Sequence, residues 1–466
     1  MSVIYDIEDH ERFRAQLASV EQDGRRKWIY ARQPSGRLYK WRTVVAAILL
    51  VFFVASPFVY VRGHQFMLLN LLERKFVLFG MPFWPQDMWL LVLVLLLCIV
   101  SIVLLTATVG RIWCGWMCPQ TIFLEMVFRR LEWFIEGPPA AQVLRRSKGW
   151  TRDRVVRGLA KHSLFAIIAF GIANVFLAYL ISSKTLLQYV ADGPFAHLSI
   201  IIPLVLFSFV FYAVFARFRE QACVIVCPYG RYMSSLVDDK TLTVTYDTVR
   251  GEQRGKGRNR ENLGDCVDCH QCVTVCPTGI DIRNGIQLEC VQCTACIDAC
   301  NDVMRKTKQP EGLIRYTSGE AVRENRHTWL TGRIVAYTAI WLVLVGVVAY
   351  MFAIRTPYDV AVLRFEGTTW LRTSNGIANI YRLEITNRTS VDGVLTIRTI
   401  QPDKATVAFI GMDENIEAYQ QRNGRFIVTI PDAAPRSTVN IELLVNGIVQ
   451  HVEKLPFLTP PAGATK

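Results

Sequence analysis

The chain has 466 residues, of which 52% are hydrophobic, and it carries a formal net charge of +13 at pH 7. This length allows several domains, and 13 cysteines in so long a chain exclude a small disulfide-stabilised secreted protein. The basic residues are scattered along the chain, so nucleic acid is not an expected partner. The positive charge instead indicates membrane topology and attraction to anionic lipid.

Residues 1–42 are polar and mixed in charge, and five long apolar stretches follow in the rest of the chain. Apart from Asp87, these stretches contain no Asp, Glu, Lys or Arg. Each can cross a hydrocarbon core of about 30 Å as a helix of about 20 residues. The sequence therefore predicts five transmembrane helices, near residues 43–61, 87–109, 163–183, 197–216 and 334–354.

The distribution of Lys and Arg predicts the orientation of these helices. Residues 1–42 carry nine of them and residues 110–162 carry ten, whereas residues 62–86 carry three and residues 183–196 carry one. Positively charged loops stay on the cytoplasmic side of a membrane. We therefore expect the N-terminus and the loop after the second span to be cytoplasmic.

With five spans, the polar segment before the fifth span is also cytoplasmic and the tail lies on the opposite side of the membrane. The expected architecture is a multi-domain integral membrane protein. Its predicted parts are a cytoplasmic segment (1–42), a four-helix membrane domain (43–216), a cytoplasmic ferredoxin-type module with linkers (217–333), the fifth helix (334–354) and an external domain (355–466).

One shorter segment, residues 121–135, is apolar but interrupted by Glu125, Arg129, Arg130 and Glu132. Charges three to seven residues apart are typical of a helix that lies along a membrane surface. We therefore expect a helix on the inner leaflet between the second and third spans.

Eight cysteines lie between positions 266 and 300 and form two runs of the pattern C-x2-C-x2-C-x3-C. This spacing binds one [4Fe–4S] cluster and supplies the last cysteine of each run to a second cluster. Zinc is the alternative metal, because C-x2-C pairs also bind zinc. However, a zinc site needs two such pairs and not a doubled four-cysteine run.

By this crossed rule the sequence predicts two [4Fe–4S] clusters, each held by four thiolates. The first thiol set comprises Cys266, Cys269, Cys272 and Cys300. The second thiol set comprises Cys290, Cys293, Cys296 and Cys276. Free thiols require a reducing compartment, which agrees with the predicted cytoplasmic side.

Two further cysteine pairs, each in a C-x3-C-P pattern, follow the second and fourth spans. A helical hairpin followed by a C-x3-C-P cysteine pair thus occurs twice in the chain. Such repeats usually pack around a pseudo-twofold axis, which predicts that the two cysteine pairs lie close together. This third thiol set comprises Cys114, Cys118, Cys223 and Cys227. It could hold a third iron–sulfur cluster, bind copper(I) or cycle as dithiols, or its cysteines could simply be buried at helix ends. The spacing does not decide among these.

Residues 355–466 change character and contain short segments that alternate between apolar and polar residues, such as 380–385 and 426–430. Turn residues, among them Asp392-Gly393, separate these segments. About 110 residues of this kind predict an immunoglobulin-like β-sandwich. The domain has no cysteine, and we expect it to serve in docking rather than catalysis.

The whole chain resembles the cytochrome c oxidase accessory protein family CcoG, also called FixG or RdxA. The matching features are residues 80–87 with Phe-Trp-Pro-Gln-Asp, residues 113–120, residues 223–231, the doubled cysteine run and the C-terminal sandwich. One departure is that Asn301 instead of proline follows the last cysteine of the second run. This departure affects the local turn more than ligation.

The resemblance implies a membrane reductase that converts Cu(II) to Cu(I) during assembly of a cbb-type oxidase. It implies copper as the substrate and oxidase assembly factors as partners. It also implies a location in the bacterial inner membrane, with membrane lipid around the helices and the C-terminal domain (355–466) in the periplasm. Because the chain has no dinucleotide-binding or P-loop motif, we expect a separate cytoplasmic electron donor. Thiolates favour Cu(I), which makes the third thiol set the candidate catalytic site. The oligomeric state is left open.

Two other functions are compatible with the sequence. The first is a quinone-linked electron-transfer subunit, similar to membrane ferredoxins of nitrate and nitrous-oxide respiration that also carry C-x3-C-P pairs. Quinol-dependent reduction of the clusters would favour it, and the C-terminal sandwich argues against it. The second is a non-enzymatic assembly scaffold that senses redox state, which would show no turnover with Cu(II).

Overall fold

The structure is a computed structural model of the chain. It describes residues 18–20, 23, 25–61, 63–71, 75–84, 87–193, 195–256, 263–325, 330–365, 370–402, 404–431 and 438–460. Most of the segment 1–24 and the dipeptide Pro85-Gln86 of the family motif therefore lie outside the described residues. The chain forms two compact units, Met1–Val348 and Ala349–Lys466.

Among the described residues, five helices are long and apolar enough to cross a membrane, as predicted, by length and composition. Numbered as the first to fifth apolar helices, they comprise Arg37–Phe58, Met88–Val109, Arg152–Ile181, Leu198–Phe218 and Gly332–Ala353. The first ends in a 3-10 turn at Ser56–Phe58 and the fourth ends in a π-helical turn at Val214–Phe218.

The first and third apolar helices begin earlier than the apolar stretches, at Arg37 and Arg152 instead of residues 43 and 163. Their additional turns are rich in Arg and Lys, which are good helix formers but lower the hydropathy. The Thr151 side chain caps the third helix by accepting a hydrogen bond from the Arg154 amide at 3.3 Å. Hydropathy therefore detects only the part of each helix that suits lipid.

Short elements connect these helices within the first unit. The helical ones are Ile112–Trp116, Pro119–Ile122, Phe123–Phe128, Arg129–Glu136, Pro139–Ser147, Ser183–Asp192, Ala222–Val226, Pro228–Tyr232, Met233–Leu236, Thr248–Gly251, Gln271–Thr274, Ile282–Asn284, Ala295–Lys306 and Gly319–Glu324. The paired strands are Tyr60–Val61 with His64–Gln65, Met67–Asn70 with Lys75–Leu78 and Met81–Phe83, and Thr243–Tyr246 with Ile314–Thr317.

The cysteine-rich segment packs against one end of the apolar helices. The Asp298 carboxylate accepts hydrogen bonds from the amides of Leu38 and Tyr39, at 3.2 and 2.8 Å, and so caps the first apolar helix. The Tyr316 hydroxyl donates to the carbonyl of Val109 at the end of the second. The start of one helix and the end of the next therefore lie on the same side.

Residues 121–135 are helical, as expected. Three of their charged side chains, however, are buried in the protein and do not face a membrane surface. Glu125, Arg129 and Glu132 are only 6%, 1% and 4% exposed. Arg129 pairs with Glu125 at 2.7 Å and with Glu220 at 3.7 Å, and Glu132 pairs with Arg219 at 2.7 Å. Since every buried charge has an opposite partner, this segment forms part of the interior.

The second unit is a sandwich of two antiparallel sheets, as predicted. One sheet has the strand order Thr406–Ile410, Gln421–Ile430, Gly376–Asn387, Tyr358–Arg364, with Leu371–Thr373 also pairing with Gly376–Asn387. The other has the order Asn415–Ile416, Gly393–Gln401, Thr438–Val445, Ile448–Pro456. Alternate residues of both sheets, such as Phe426 and Leu443, form one apolar core.

The sandwich core generates a stability prediction. Phe426 is 0% exposed and stacks on Tyr381 with ring centroids 5.4 Å apart. Phe426→Ala should therefore lower the free energy of unfolding of this unit by about 3–5 kcal/mol. Pulse proteolysis of the full-length protein in urea, followed through a C-terminal epitope, measures the change. Val391→Ala is the control, because Val391 is 63% exposed, and an equal loss in that variant would contradict the prediction.

Candidate functional site

The two cysteine runs fold into loops of the same unusual shape. In each run the residues on either side of the second cysteine have positive φ angles. These are Asp268 and His270 at 48° and 55°, and Gln292 and Thr294 at 53° and 63°. Such conformations cost about 1–3 kcal/mol for a residue other than glycine. They turn successive amides toward one point and form a concave anion-binding loop.

The four cysteines of the first thiol set surround one small cavity. Cys269 is exposed, whereas the other three are buried. Tyr246 and Arg283 also line the cavity. The first thiol set therefore has one edge open to the surface.

The four cysteines of the second thiol set surround a second small cavity. Cys272, a member of the first thiol set, lines both cavities. The two cavities are therefore neighbours that share a wall. The grouping of the thiols around the two cavities is compatible with the crossed assignment made from the spacing, which stays a prediction.

The donor arrangement fits a polynuclear cluster. Zinc requires four ligands that converge on one ion. A cubane instead needs four thiolates spread around its corners. The thiols that surround the two cavities meet that requirement, so each thiol set fits one [4Fe–4S] cluster.

Burial controls the protonation of these thiols. It raises the pKa of Cys272, Cys290 and Cys300 to about 12 and that of Cys293 to about 11. Thiolates are the iron ligands, so binding of iron must displace protons from these groups. Cluster assembly on this chain is therefore favoured as the pH rises.

Polar groups surround several of the cysteine sulfurs. The amides of Gln292, Ala295 and Ile314 favour the thiolate forms of Cys290, Cys293 and Cys300, respectively. The Tyr246 hydroxyl lines the first cavity, where burial raises its pKa, and it has no hydrogen-bond partner among the described residues. Hydrogen bonds to sulfur are a main determinant of cluster potential, and this hydroxyl is available to donate one to a cluster held in the first cavity.

A buried cation adjoins the first thiol set. The side chain of Arg283 is 3% exposed and pairs with Asp268 and Asp281, each at 2.6 Å. It also lies 2.9 Å from Nδ1 of His270. The hydrogen bond from Arg283 holds the pKa of Asp268 below its usual range. These pairs fix the positive charge beside Cys272, where it favours the anionic form of the thiol.

The structure also brings the third thiol set together. Cys118 and Cys227 immediately precede the prolines that begin Pro119–Ile122 and Pro228–Tyr232, so both pairs use the same local design. Burial, followed by the charges of the other three thiols, raises the pKa of Cys223 to about 12. The four thiols are therefore close enough to interact electrostatically.

The third thiol set lies directly against the second. A Cβ atom on Gly115 would lie 2.4 Å from the carbonyl oxygen of Val291 and 2.9 Å from the amide nitrogen of Cys293. Only glycine allows this approach without displacing backbone. Cys114 packs in the same buried cluster as Val291 and Cys293, and Arg42 donates to the Gly115 carbonyl at 2.7 Å.

Arg111 links the two sets. Its Nη2 lies 4.0 Å from Sγ of Cys114 and its Nη1 donates to the carbonyl of Leu288. Burial raises the pKa of Cys114, and the charge of Arg111 opposes that rise. Sequence reasoning missed Arg42, Arg111 and Arg283, and the position of Arg111 three residues before Cys114 was the only local signal.

Comparison with protein-family models matches three parts of the chain. A 4Fe-4S dicluster domain matches residues 218–319, which include the first and second thiol sets. A 4Fe-4S binding domain matches residues 91–139, which include Cys114 and Cys118. An IG-like fold at the C-terminal of FixG matches residues 348–460.

Related proteins share most of this chain. Protein RdxA of Cereibacter sphaeroides is 32% identical over 88% of this chain and 91% of its own length. Protein RdxB of the same organism is 32% identical over 78% of this chain and 80% of its own length. Nitrogen fixation protein FixG of Rhizobium meliloti is 34% identical over 63% of this chain and 58% of its own length.

The grouping of the cysteines around the two cavities predicts which of them bind the same cluster. The variants Cys276→Ser and Cys293→Ser should each contain one cluster fewer than the unaltered protein. The double variant should lose no further iron, because both residues belong to the second thiol set. Combining Cys276→Ser with Cys266→Ser should lose the iron of two clusters. Anaerobic iron and sulfide counts on the full-length protein measure this. Additive loss in the first pair would show that the crossed assignment is wrong.

Proposed function

This chain belongs to the FixG/RdxA family of iron–sulfur proteins, and we propose that it reduces Cu(II) to Cu(I) for assembly of a cbb-type cytochrome c oxidase. The observation that carries this proposal is the contact of the third thiol set with the second at Gly115. It supplies a buried connection from the clusters to thiols that suit copper.

The spatial order of the thiol sets supports one-electron transfer from the first thiol set through the second to the third. When bound, [4Fe–4S] clusters supply one-electron carriers. Cys269 is exposed and offers the place at which a separate cytoplasmic donor approaches. Cys272 stands between the two cavities, and Cys293 lies against the third set. Cys272, Cys293 and Cys114, which lie along this route, are buried.

The third thiol set supplies the chemistry that copper requires. Each Cu(II) accepts one electron and becomes Cu(I), and no bond in the substrate is broken. Thiolates bind Cu(I) in preference to Cu(II) and so draw the couple toward reduction. Arg111 favours the thiolate form of Cys114. The match of a 4Fe-4S binding domain to residues 91–139 supports a redox role for this set, in direct reduction or through a further centre.

The proposal places the N-terminal segment and the cluster module in the bacterial cytoplasm and the sandwich in the periplasm. Two observations support this sidedness. The loops richest in Lys and Arg join the helix ends that the cluster module contacts. The described part of the chain contains five apolar helices, so the segments before the first and after the fifth lie on opposite sides if all five span.

The proposed function predicts that a variant of the third thiol set keeps its clusters but no longer reduces copper at the normal rate. Cys114→Ser combined with Cys118→Ser should leave the absorption and electron paramagnetic resonance of the first two sets in place. Because the copper-facing thiols are removed, anaerobic reduction of Cu(II) by the dithionite-reduced protein should fall at least tenfold. A Cu(I)-specific chelator measures the rate.

Cys98→Ser is the matched control for that experiment, because Cys98 is an exposed thiol within the second apolar helix. It should reduce copper at the rate of the unaltered protein. An undiminished rate in the double variant, or an equal loss in the control, would contradict the role of the third set. Full turnover by iron-free protein would contradict the electron route itself.

A further inference from the structure

A large cavity lies away from all three thiol sets. It has a volume of about 1860 Å³, open mouth included, and is formed where residues 26–30, Arg129–Glu136 and Pro139–Ser147 meet the start of the third apolar helix and the end of the fourth. Eight of its lining residues are Lys or Arg and two are Glu. The strong excess of positive charge indicates an anionic ligand.

Three arginines surround one indole in this cavity. The guanidinium carbons of Arg26, Arg219 and Arg146 lie 4.6, 4.9 and 5.5 Å from the ring centroid of Trp28. Cation–π contacts of this kind hold guanidinium groups in fixed positions. The cavity is therefore a preorganised group of cations and not a set of mobile surface side chains.

Donors in the wall are buried without an acceptor. Arg219, which is 3% exposed, pairs with Glu132, yet its Nε has no hydrogen-bond partner among the described residues. Arg26 pairs with Glu220 through Nη2 at 2.8 Å, while its Nε and Nη1 lack partners in the same part of the chain. Buried unpaired donors are costly, so the carboxylates in the wall leave part of the hydrogen-bonding capacity of both guanidinium groups unused.

Two further cations at the cavity lack a carboxylate partner among the described residues. Arg146 donates to the Tyr30 hydroxyl, and Arg154 donates to the carbonyl of Gly149 at 2.9 Å. Both contacts are to neutral oxygens, so they leave the positive charges uncompensated. An anion entering the cavity would meet these two charges without having to break an ion pair.

The rim of the cavity is apolar. Trp150, Leu159 and Val155 are 85%, 67% and 49% exposed, and all three lie at or just before the polar start of a helix that continues into an apolar stretch. Exposed Trp beside Arg at the end of an apolar helix is typical of the headgroup layer. A free phosphate ion would make no apolar contacts with this rim, whereas the acyl chains of a lipid would pack against it.

We propose that this cavity binds the phosphate group of an anionic phospholipid, with the acyl chains lying along the exposed apolar side chains of the third apolar helix. Basic pockets between membrane helices are a known mode of binding for such headgroups. The site does not depend on the copper chemistry proposed above. It would fix the depth and tilt of the helices that carry the thiol sets.

The test measures lipid affinity on the full-length protein in detergent by native mass spectrometry. Phosphatidylglycerol should bind at least tenfold more tightly than phosphatidylcholine with the same acyl chains. In Arg146→Gln with Arg154→Gln, the dissociation constant for phosphatidylglycerol should rise about 30-fold, since each basic residue near an anionic lipid contributes about 1 kcal/mol. Iron content should be unchanged.

The matched control is Arg305→Gln with Lys306→Gln, which removes two charges from the end of Ala295–Lys306 where both side chains are largely exposed. It should bind phosphatidylglycerol like the unaltered protein. An equal loss in the control, equal affinity for the two lipids, or displacement of bound lipid by millimolar inorganic phosphate would overturn the proposal. The comparison of the two lipids on the unaltered protein decides the matter even if a variant loses its iron.

Discussion

The approach of Gly115 to the backbone of Val291 and Cys293 is the contact on which the rest of the first unit depends. It joins a helix end of the membrane domain to the loop that holds the second thiol set. Without it, the third thiol set would not lie against the second and would have no neighbour to exchange electrons with. A Cβ atom at position 115 would force the two parts of the chain apart.

Buried charge pairs hold this junction in place. Arg129 pairs with Glu125 and Glu220 and also donates to the carbonyl of Pro277 at 3.4 Å, next to the second thiol set. Removing one member would leave a buried charge without its partner, which costs about 3–5 kcal/mol. The same pairs adjoin the basic cavity through Glu132, so the cluster module, the helix ends and the proposed lipid site share one polar interior.

The sequence predicts those features that follow from the spacing of cysteines, the length of apolar stretches or the alternation of apolar and polar residues. Cysteine spacing indicates the first two thiol sets, apolar length indicates the five helices, and alternation indicates the sandwich. It does not predict the burial of Glu125 and Arg129, because a charged residue next to an unknown partner looks solvated. Nor does it predict the cavity around Trp28, whose walls come from segments more than 100 residues apart. Such features exist only after tertiary packing.

The central claim is that the eight thiols of the cluster module hold two neighbouring [4Fe–4S] clusters, with Cys272 between them. Electron paramagnetic resonance of the full-length protein, reduced anaerobically with dithionite, tests this claim most directly. The account predicts the broadened spectrum of two magnetically interacting reduced clusters. Two separate, non-interacting signals, a single cluster signal, or a colourless protein without iron would contradict it.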